Sequence, residues 1–134
     1  MSHDLEMLTS HDVKAAEVIA AGMASSWDDL ACEIRRLFKT AIASTMGDFP
    51  DTANAILCAE RVLDATVALA EHAELLSESR KTSLSFCVDQ CEAEAQRLFD
   101  AIVSGQPAAV LNAYAERGLI SSYGLQDMFM SVSH

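Results

Sequence analysis

Cys87 and Cys91 are the first residues whose type and spacing suggest chemistry. On a helix, residues four apart share one face, and two thiols side by side suit a soft ion such as copper(I). A closed tetrahedral site needs four ligands, so this pair falls short unless Cys58 approaches from a neighbouring helix. Cys91 also belongs to a heptad-spaced apolar series, and free cysteine is among the most buried residue types. Cys32, Cys58, Cys87 and Cys91 lack the spacing of a disulfide scaffold. The expectation is four reduced, buried thiols, with no metal and no other cofactor.

His72, in Glu71-His72-Ala73-Glu74, is the one histidine away from the chain ends. An exposed helical imidazole can carry a phosphoryl group, but Glu74 puts negative charge where the phosphate would arrive, and a solvent-facing His72 is the expected reading. His3, His11 and His134 lie at or near the chain ends and make poor catalytic candidates. A di-iron bundle needs Glu-x-x-His pairs, and no histidine has a glutamate three residues before it. Glycine-rich nucleotide loops, a Gly-x-Ser-x-Gly elbow and a His-Glu-x-x-His pair are also missing from the sequence. The chain therefore reads as non-enzymatic.

Charge narrows the partners. Nine Lys and Arg stand against 20 Asp and Glu in 134 residues, a formal net charge of -11. Such a chain repels phosphate backbones and anionic lipid, so direct binding of nucleic acid or a membrane surface is not expected. The acids are dispersed along the chain, as on solvated helix faces. Glu60, Asp64, Glu71 and Glu78 make one stripe when wound at 3.6 residues per turn, and Asp89, Glu92, Gln96 and Asp100 make a second. Rows of carboxylates can keep a small protein dissolved, and they can also imitate DNA phosphates towards a basic protein.

The elements that would position these residues are helical. Apolar residues make up 51% of the chain but aromatics only 6%, and two prolines and five glycines leave few breakers. A first helix capped by Thr9 or Ser10 is expected to stop near Ser25, and Ser26-Trp27-Asp28-Asp29 reads as a fresh capping box. Trp27, Leu30, Ala31, Ile34, Leu37, Phe38, Ala41 and Thr45 then follow helical spacing over 27–46. Long helices are predicted over 52–79 and 84–104, separated by a basic corner at Arg80-Lys81-Thr82-Ser83. Gly105-Gln106-Pro107 ends the latter, a shorter helix is expected to close at Gly118, and Ser121 or Ser122 can cap a last one. The prediction is an all-α, single-domain bundle of five or six helices spanning 1–134.

The start, Met1-Ser2-His3-Asp4-Leu5-Glu6, has no basic and apolar leader pattern, and no stretch has the ~20 apolar residues of a membrane span, so a cytoplasmic location is expected. Within residues 122–134, Leu125, Met128, Phe129 and Val132 share one face and form a candidate docking or dimerisation anchor, unless they fold back onto the core. A mean hydropathy of +0.17 in so short a chain favours association. The reading is a helical protein-interaction module, an adaptor, chaperone-like binder, immunity protein or regulator, that binds a protein partner or itself as a homo-oligomer. The alternatives are an acidic, nucleic-acid-mimicking antagonist of a DNA- or RNA-binding protein and a thiol metal binder.

Overall fold

The computed structural model of the chain describes the backbone of residues 10–73 and 78–133 and the side chains of 27–71, 82 and 85–125. The scarcity of breakers yields four long helices: α1 (Ser10–Ser44), α2 (Thr52–Ala73), α3 (Glu78–Val103) and α4 (Ala108–Ser133). No strand occurs among the described residues. Short connections force successive helices to run antiparallel. α1 packs on α2 and α4, and α3 packs on α2 and α4. The diagonal pairs do not approach closely among the described residues, so the helices form a closed ring around one core.

Each helix turns one seven-residue repeat inward. On α1 the buried series is Trp27, Ala31, Ile34, Phe38, Ala41 and Thr45; on α2 it is Ala55, Cys58, Ala59, Val62, Ala65, Thr66 and Leu69. α3 contributes Val88, Cys91, Ala95, Leu98 and Ala101, and α4 contributes Leu111, Ala115, Ser122 and Leu125. Steps of three and four residues keep one seam facing its partners along the whole bundle. Full burial of a side chain such as Ile34, Phe38, Leu69, Leu98 or Leu111 contributes about 1.5–3 kcal/mol. Alanine is the commonest core residue, so the helix backbones come close together.

Among the described residues the helix count is four, not five or six. The break expected at Ser25 does not occur, because Ala24-Ser25-Ser26 contains neither Gly nor Pro and serine costs a helix interior only a few tenths of a kcal/mol. Gly118 does not end a helix either: it is buried within α4, and a Cβ built on it would overlap the Phe38 ring. Residues 122–133 are thus the last turns of α4 and not a separate segment. The basic corner at Arg80-Lys81-Thr82-Ser83 is helical as well and belongs to the start of α3. The predicted helix over 52–79 ends at Ala73, and the one over 84–104 begins at Glu78.

The true ends carry explicit stop and start signals. Gly105, at φ 75°, closes α3: its N–H donates to the Ile102 carbonyl at 3.1 Å, and the Gln106 N–H donates to the Ala101 carbonyl at 2.9 Å. This double bond set satisfies carbonyls that a helix end leaves open, at a left-handed position suited to glycine. The Pro107 carbonyl then accepts from Val110 and Leu111 to begin α4. Asp51 caps α2, its Oδ1 accepting from the Asn54 N–H at 3.0 Å.

Candidate functional site

The predicted site residues fall into three groups. Leu125, the first member of the C-terminal stripe, is fully buried, and its carbonyl accepts a 3.1 Å hydrogen bond from Trp27 Nε1. It is a core residue joining α4 to α1, and it cannot serve as an exposed anchor. The side chains of Met128, Phe129 and Val132 lie outside the described residues.

The acidic stripes are exposed. Glu60, Asp64 and Glu71 line the outer face of α2, and Asp89, Glu92 and Asp100 are exposed on the adjacent α3. Gln96 Nε2 donates to Asp100 Oδ1 at 3.0 Å, an i, i+4 bond that holds the second stripe in line. The side chain of Glu78 lies outside the described residues.

Cys91 is fully buried, and its thiol is pushed up to about 12, chiefly by burial, with Cys87 and Glu94 adding to the effect. Burial also raises the Cys87 thiol. Both thiols therefore hold their protons at neutral pH, where metal binding needs thiolates. Cys58 is raised by burial too, but the charges that act on it belong to Arg36, Arg61 and Asp51. It sits two turns into α2, near the end where Cys91 is three turns or more from the α3 terminus, so about 10 Å of bundle axis separates the two levels. No group of three or more His, Cys, Asp or Glu that could hold a metal is assembled among the described residues. Cys32 is half-buried and accepts a 3.5 Å contact from Arg35 Nη2. The side chains of His72 and His11, and residues His3 and His134 as a whole, lie outside the described residues.

Sequence reasoning missed the end of the bundle where α1 passes to α2 and α3 to α4. A polar cluster fixes this end. Asn112 Nδ2 donates to the Ile42 carbonyl at 3.2 Å and to Thr45 Oγ1 at 3.1 Å, while Thr45 Oγ1 donates to the Ala41 carbonyl at 2.9 Å. Asn54 Nδ2 donates to Ser44 Oγ at 2.7 Å. On this braced frame the α1–α2 loop, with Gly47 at φ 85°, holds Phe49 96% exposed and leaves Met46 exposed beside it. Val103, also exposed, ends α3 at the same end of the bundle. Asp48 and Asp51 flank the phenylalanine. The available signal was an aromatic residue between Gly47 and Pro50, inside a loop and outside any helical periodicity.

A second feature is a groove of about 430 Å³ between α3 and α4, lined by Arg97, Asp100, Ser104, Gln106, Val110 and Tyr114. Arg97 Nη1 donates to Glu94 Oε1 at 2.6 Å, whereas Glu94 Oε2 is buried with no hydrogen-bond partner among the described residues. The Arg117 guanidinium lies 5.8 Å from the centre of the Tyr114 ring, in cation–π range. The groove is shallow and open.

No protein family, no curated protein and no solved structure matches this chain. Among the described residues no helix is long and apolar enough to cross a membrane.

Proposed function

We propose that this chain is a non-enzymatic helical interaction module that docks onto a protein partner through the apolar end of its bundle. The observation that carries the reading is Phe49, 96% exposed on a loop whose neighbours are tied down by hydrogen bonds. A large aromatic side chain held in water on a braced frame loses little freedom on binding, which is what an interface anchor requires. Met46 and Val103 extend the apolar area, and Asp48 and Asp51 suit a pocket rimmed by Lys or Arg. Capture from source-cell lysate, followed by reconstitution with the purified partner, tests the reading. Phe49→Asp should abolish the reconstituted complex while leaving the helical circular dichroism intact. A complex indifferent to Phe49→Asp and Met46→Asp would remove this end of the bundle as the docking site.

A second reading rests on a different observation: six exposed carboxylates, Glu60, Asp64, Glu71, Asp89, Glu92 and Asp100, on two neighbouring helices. An antagonist of a nucleic-acid-binding protein would use this face, and its complex would weaken steeply with salt and compete with DNA or RNA. A salt-insensitive complex sets this reading aside.

A further inference from the structure

We draw no further inference here: the strongest candidate, the outer face of α4 with its exposed Ile120 and Tyr123, carries nothing because nothing in the structure shows what covers that face.

Discussion

Replacing a glycine inside a helix by alanine ordinarily stabilises it by about 1 kcal/mol, since alanine is the best helix former and glycine among the worst. Gly118 of α4 should reverse that sign. A Cβ at this position would overlap three carbons of the Phe38 ring, and Phe38 is itself fully buried within α1 with little room to retreat. Overpacking of this kind costs about 1–3 kcal/mol and here exceeds the propensity gain, so Gly118→Ala should destabilise by about 1–2 kcal/mol net. For a chain of this length that lowers the thermal midpoint by about 4–8 °C. Phe38→Ala alone should cost about 3–5 kcal/mol through the cavity it leaves. On that background Gly118→Ala should stabilise, because the methyl group then enters empty space and the helix gains its ordinary preference. The coupling between the two positions should be about 2–3 kcal/mol, large even for touching residues. Urea unfolding of the four proteins, followed by circular dichroism and by the fluorescence of Trp27, the only tryptophan, measures it. Gly118→Ala neutral or stabilising in the wild type, or additive with Phe38→Ala, would show that the ring does not fix this glycine.

Other substitutions probe the remaining contacts between α1 and α4. Trp27→Phe removes the hydrogen bond to the Leu125 carbonyl and part of a buried ring, and should cost about 1–3 kcal/mol in the same urea assay. Asn112→Ala removes the hydrogen bonds to Thr45 Oγ1 and to the Ile42 carbonyl and should cost about 1 kcal/mol in the same assay. Burial pushes the Cys91 thiol up to about 12, so the unfolded chain releases this proton first as pH rises. Native stability should be level with respect to Cys91 below about pH 9 and fall between about pH 9 and 12, a slope that Cys91→Ala reduces. Native Cys91 should also resist iodoacetamide at pH 8 and react on unfolding, and rapid native labelling would contradict its burial. Phe49→Asp, at a nearly fully exposed site, should change stability by no more than about 0.5 kcal/mol.

The helical class and most of the core were legible because burial imposes periodicity. Ile34, Phe38, Val88, Cys91 and Leu98 stand at the spacings that mark an inward seam, and all are buried. The boundaries were less legible where one residue type serves two purposes. Glycine ends α3 at Gly105, where φ is positive, and lies mid-helix at Gly118, where a neighbouring ring needs the space. Only tertiary contact separates these cases. Serine likewise caps helices and tolerates their interiors, so Ser26 suggested a start within a continuous α1. Leu125 looked like an anchor because one helix face, seen alone, cannot reveal whether Trp27 of another helix covers it. Phe49 went unremarked for the converse reason: periodicity ranks residues within elements and says nothing of a side chain in a loop.

The ring of helices has one seam unlike the others. α1 meets α2 across a loop of seven residues, but 63 residues lie between the end of α1 and the start of α4. The chain entropy lost in closing the longer loop is greater by about 2 kcal/mol, so the α1–α4 seam should be the last to zip during folding and the first to part in native-state fluctuations. Among the described residues, the hydrogen bonds from Trp27 to the Leu125 carbonyl and from Asn112 to the Ile42 carbonyl lie across this seam, one towards each end. They act as latches on the contact that topology makes slowest to form. An opened seam would expose the apolar faces of α1 and α4 together, and two such chains could exchange α1 helices, giving the fold a route to an intertwined dimer that uses only its own core contacts.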